Sequence, residues 1–169
     1  HAFSAHGGYA QAIYADFVRG DVDAVELLQF GVYRGIGLDD WYRILNIGYR
    51  FTIVGASDYP ACRKLGDCLT YVRRVGEGPT DAAGWLKGAS EGRGFVTTAP
   101  LLELDLDGQA PGAPVEKTGP GPHAMRARVR LISPVAPVHE VQLVLNGRAV
   151  GSRKVPEGQG RGAGLPGDG

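Results

Sequence analysis

Residues 21–30 read DVDAVELLQF, residues 38–50 read LDDWYRILNIGYR and residues 51–58 read FTIVGASD. These three stretches decide the fold. From 22 to 30 the chain mixes branched and apolar side chains in a short run bounded by Gly20 and Gly31, as a buried strand would. In the second stretch Leu38, Trp41, Tyr42, Leu45 and Tyr49 recur at helical spacing. Asp39 and Asp40 sit early and Arg50 late, which suits the helix dipole. The third stretch reads as another short buried strand, halted after Ser57-Asp58 by Tyr59-Pro60. A strand, helix, strand succession predicts a parallel sheet or barrel, hence an α/β fold.

Outward from this unit, a third apolar run (69–75) precedes a helix that starts at Thr80 as N-cap, continues through Trp85, Leu86 and Ala89, and stops at Gly92. Gly84 and Gly88 weaken it. Residues 95–107 alternate in their second half, with Leu102, Leu104 and Leu106 set against Glu103, Asp105 and Asp107. Residues 109–122 are rich in Gly and Pro and read as a linker. Beyond it, 125–132 alternate again, and Val141, Leu143 and Leu145 lead into Asn146-Gly147, a strong hairpin signal. The expected division is 1–108 for the α/β part, 123–155 for a β-hairpin or β-sandwich-like fragment, and 156–169 for a disordered Gly-rich tail.

Lys plus Arg and Asp plus Glu are each 18, a formal net charge of zero, so neither nucleic acid nor an anionic membrane is an expected partner. No apolar run is long enough to predict a membrane span. Cys62 and Cys68 are compatible with a small disulfide-closed loop and equally with two reduced thiols.

Asp58 is the leading candidate for chemistry, because parallel α/β barrels place catalytic groups at the carboxy-terminal ends of their strands. A carboxylate there suits Zn, Mn or Fe, and the plainer alternative is a side-chain cap on the following turn. His1 and His6 flank a small, flexible segment and carry imidazoles suited to transition metals, although their spacing is not a recognised chelate. Glu26 lies inside the first strand, where an inward carboxylate needs a compensating partner. Arg63, Lys64, Arg73 and Arg74 would bind a substrate anion if they lined the site.

The ordered series VDAVELLQF, WYRILNIGYR, GASDYP, TYV and GRGFVTTAPLLELDLDGQAPG resembles the carboxy-terminal part of the PHP superfamily of metal-dependent hydrolases, specifically the CehA/McbA type, over about residues 1–150. The resemblance implies a distorted β/α barrel followed by a small β-sandwich-like segment. It also implies two or three divalent ions in the complete parent domain, which activate water against phosphoester, carbamate or related ester bonds of a small-molecule substrate. Carried over by position, Asp58 and His1 would be metal ligands and Glu26 a wall or supporting residue; His6 and Tyr59 are further candidates to support the ligands or contact substrate. The resemblance points towards an exported bacterial protein, the compartment otherwise staying open. It leaves the oligomeric state open too.

The sequence departs from that pattern in places. The family's His-x-His pair would lie upstream of His1, Tyr59-Pro60 stands where many relatives continue Asp-x-His, and Ala2 and Ala99 replace Pro and Gly. A second reading follows from these departures: an inactive PHP-like scaffold whose carboxy-terminal hairpins form a β-type binding module. A third is a structural unit that docks on another subunit.

Overall fold

The computed structural model describes residues 3–4, 13–29, 38–50, 52–61, 63–79 and 81–157. Its first part is β1 (Phe3–Ser4), α1 (Ile13–Arg19), β2 (Ala24–Gln29), α2 (Leu38–Asn46) and β3 (Thr52–Ala56), with the strands in the order β1-β2-β3 and parallel throughout. Parallel neighbours need a crossover, and α1 and α2 supply the two. Ile13 and Phe17 of α1 pack with Val25 and Leu27 of β2 in one buried cluster, to which Leu38, Trp41 and Ile44 of α2 are added. Both helices therefore cover the same face of the sheet. Tyr14 of α1 hydrogen-bonds Asp40 of α2, and burial, followed by the Asp40 charge and that bond, raises its phenol above the ordinary tyrosine range.

The next unit is β4 (Leu69–Val72), α3 (Ala82–Ser90) and β5 (Gly94–Thr97). Helix α3 is capped by Asp81, whose carboxylate accepts from the Gly84 N–H at 2.7 Å; the Thr80 cap expected from sequence is thereby corrected, Thr80 itself lying outside the described residues. Another strand, helix, strand run here gives an antiparallel pair, Leu69 opposite Thr97 and Val72 opposite Gly94. Gly92, at φ 71°, turns the chain straight back after α3, so β5 returns alongside β4 instead of crossing over. The ribbon sits on the outer edge of β3: the Thr70 hydroxyl accepts from the Gly55 N–H and donates to the Gly55 carbonyl, both at 2.9 Å.

Strand β6 (Leu101–Leu106) pairs antiparallel with β7 (Ala127–Ile132), so residues 109–122 loop between two partners of one ladder. Asp107 closes that loop: its carboxylate accepts from Lys117 Nζ at 2.6 Å and from the Arg126 N–H at 2.8 Å. Strands β8 (Glu140–Leu145) and β9 (Arg148–Lys154) form the hairpin expected from Asn146-Gly147, both of which have positive φ (51° and 80°). Its tip reaches α2, where a Cβ built on Gly147 would meet the Tyr42 ring at 3.3 Å.

The architecture is mixed α/β, as expected. Among the described residues the strands form one three-stranded and three two-stranded sheets, without closing a barrel. Boundaries move: β3, expected to run through Asp58, ends at Ala56, and two others shift. Helix α2 ends at Asn46, short of Arg50, because Gly48 at φ 97° breaks it, and β4 ends at Val72, short of Val75. The expected disorder of 156–169 lies, beyond 157, outside the described residues.

Candidate functional site

The carboxy-terminal edge of the parallel sheet is where Gln29 of β2 stands opposite Ala56 of β3. Immediately beyond it come Ser57, buried at 7 % exposure, and Asp58, half-buried. Asp58 has φ 54°, a left-handed conformation in which Asp is better tolerated than branched or bulky residues. The chain thus leaves β3 by a sharp backbone change at the residue that carries the candidate ligand. Tyr59 follows, 61 % exposed, and its peptide bond to Pro60 is cis.

Glu26 is buried at 6 % exposure in β2, level with Val54 of β3. Strand alternation sets it opposite Val25, on the face away from the α1 and α2 core. Glu26 stands level with Val54, two residues before β3 ends at Ala56, and so below the sheet edge that Asp58 follows. Glu26 is thus a buried carboxylate within the sheet and not at its carboxy-terminal edge. His1 and His6 lie outside the described residues, as does Cys62. Among the described residues, no three His, Cys, Asp or Glu side chains converge in a way that would hold a metal ion. Asp58 is thus a hard-oxygen donor in a suitable place, but the described residues do not amount to a ligand set.

Cys68 is buried, its Sγ 3.5 Å from the Leu28 carbonyl, and it fills space beside Gly55, where an added Cβ would lie 2.8 Å from that sulfur. Its position is that of a packing residue. The basic residues divide: Arg63 and Lys64 are exposed in the loop after Pro60, Arg74 donates to the Gly78 carbonyl, and Arg73 joins a separate groove. That groove, between the β4–β5 and β6–β7 ribbons, was not legible in the sequence. Its one visible trace is the alternation of Arg126, Arg128 and Arg130, and only the strand register shows what Arg128 and Arg130 face. No described helix is long and apolar enough to cross a membrane.

Comparison of the chain with protein-family models, with curated proteins and with solved structures returns no match.

Proposed function

We propose that this chain is the carboxy-terminal part of a PHP-type metal-dependent hydrolase of the CehA/McbA kind, acting on phosphoester, carbamate or related ester bonds of a small molecule. The observation that carries the reading is the position of Asp58, just past the carboxy-terminal end of a parallel strand whose crossover helices cover one face only. The opposite face, which holds Glu26, is the one that would look into a barrel if further strands continued the sheet. Asp58 would anchor one divalent ion, Zn, Mn or Fe, together with His1 and ligands supplied from outside the described residues. Such ions, when bound, make water a stronger nucleophile and stabilise the developing oxyanion. Glu26 would hold the strand wall below the ions, and Tyr59, exposed beside Asp58, would border the substrate.

Metal content by elemental mass spectrometry tests this on the chain extended upstream through a His-x-His strand, with and without Asp58→Ala. Two or three equivalents that fall in the variant, together with hydrolysis of a chromogenic phosphoester, are the expected result. Full metal content in Asp58→Ala would remove Asp58 from the ligand set. An upstream region with no His-x-His would favour the inactive scaffold with a β-type binding module, a reading supported by the exposed Leu143, Val144, Leu145 and Val150 of the β8–β9 hairpin.

A further inference from the structure

The β4–β5 and β6–β7 ribbons enclose a groove of about 590 Å³, a volume within the range of small-molecule sites. On β4–β5, Tyr71 and Phe95 are cross-strand partners whose rings stack with centroids 5.3 Å apart and planes 11° from parallel. Two residues along each strand, and so on the same side of the ribbon, come Arg73 and Arg93, joined by a bond from the Arg73 N–H to the Arg93 carbonyl at 2.7 Å. On β6–β7 the cross-strand pairs Glu103–Arg130 and Asp105–Arg128 share one face, and all four line the groove.

The charges in the groove do not cancel. Glu103 is paired with Arg130 at 3.4 Å and Arg93 with Glu91 at 2.7 Å, while the Asp105 carboxylate accepts from the Gly108 N–H at 2.9 Å. Arg73 and Arg128, one from each ribbon, make no ion pair among the described residues. Beside the stacked aromatic pair, four arginines against Glu103 and Asp105 leave the groove lining net positive, with Asp105 across the ladder from Arg128, in a chain whose formal net charge is zero. Guanidinium recognises phosphate and carboxylate through paired N–H donors, and an aromatic face accepts a flat ring.

We infer that this groove binds a small aromatic anion, its ring against the Tyr71–Phe95 stack and its phosphate or carboxylate between Arg73 and Arg128. The site is separate from the Asp58 edge. Val72, Arg93, Gly94 and Phe95 also line a recess that runs to Thr52, the residue that opens β3, whereas Asp58 follows the other end of that strand. The inference therefore stands or falls independently of the hydrolase reading.

Isothermal titration of the full chain with phenyl phosphate, in metal-free buffer, tests it. Saturable binding is expected, weakened roughly tenfold or more by Arg73→Gln and again by Arg128→Gln, each removing a charge-assisted contact. Binding should persist in Asp58→Ala. The Arg73→Lys, Arg128→Lys pair keeps both charges and should retain affinity between that of the wild type and the Gln pair, which separates charge loss from misfolding. Benzoate measured alongside distinguishes carboxylate from phosphate as the preferred anion. Absence of binding by both phenyl phosphate and benzoate would overturn the inference. So would inorganic phosphate binding as tightly, unchanged affinity in the Gln pair, or displacement by a single-stranded oligonucleotide at equal phosphate concentration.

Discussion

Thr70→Val is the sharpest test of how the outer ribbon is attached to the parallel sheet. Valine matches threonine in shape but removes the hydroxyl that both accepts from the Gly55 N–H and donates to the Gly55 carbonyl. Each net hydrogen bond contributes about 1 kcal/mol, so the pair is worth about 2 kcal/mol. Partial burial lets water recover some of this loss, while the orphaned backbone groups of buried Gly55 add to it. At about 2–4 °C per kcal/mol for a chain of this size, Thr70→Val should lower Tm by about 4–8 °C. Thr70→Ser keeps both bonds and loses one methyl group, costing about 0.8 kcal/mol at most. Thermal and urea unfolding followed by circular dichroism would measure the order wild type, Ser, Val. A valine variant as stable as the wild type, or a serine variant less stable than valine, would refute the view that this hydroxyl clamps the edge of β3.

Other expectations concern the turns and the loop. Gly112→Ala should destabilise by upwards of about 2 kcal/mol in urea unfolding, because φ is 86° and the new Cβ would lie 2.5 Å from the Glu91 carbonyl oxygen; full stability would show that the loop does not pack there. Asp81→Ala should cost about 1 kcal/mol through loss of the α3 cap, and an unchanged urea midpoint would deny that role. The Lys117 hydrogen bond, followed by that of the Arg126 backbone, holds the Asp107 carboxyl below its ordinary range. Its folded pKa being the lower one, the stabilising contribution is complete above the ordinary aspartate value near ~3.9 and is lost as pH falls through the depressed value. Protection of 109–122 against hydrogen exchange, taken relative to the intrinsic rate at each pH, should therefore fall in that acid window, and Asp107→Asn should show the lower protection already at neutral pH.

Local pattern made the parallel unit and the β8–β9 hairpin legible. Branched residues in β2 and β3, helical spacing in α2, and Asn146-Gly147 each act over a few residues, and each formed the element they indicate. Pairing between distant segments was not legible. Nothing local to Leu69 or Gly94 states that these strands run antiparallel, since β5 is brought back alongside β4 by the turn at Gly92. Asp58 was read as the end of a strand and stands two residues past one, and its left-handed backbone was not read at all, because Asp carries no obligatory signal for that conformation. Glu26 was legible as a carboxylate within a strand, but its burial and its place below the sheet edge come only from the packing and the register. The aromatic and arginine groove depends on two ribbons facing each other, information that no single window of sequence contains.

The β6–β7 ladder also bears on how the protein can be divided. The Gly- and Pro-rich stretch 109–122 invites cutting, yet it joins two strands held by six register pairs from Leu101–Ile132 to Leu106–Ala127. A chain stopped at 108 would leave the β6 backbone without its partner, as a strand edge open to pairing with other molecules. A chain nicked within 109–122 would instead keep both halves in one ladder. Proteolysis there should therefore yield two fragments that travel together, whereas separate expression of the first half should yield aggregates.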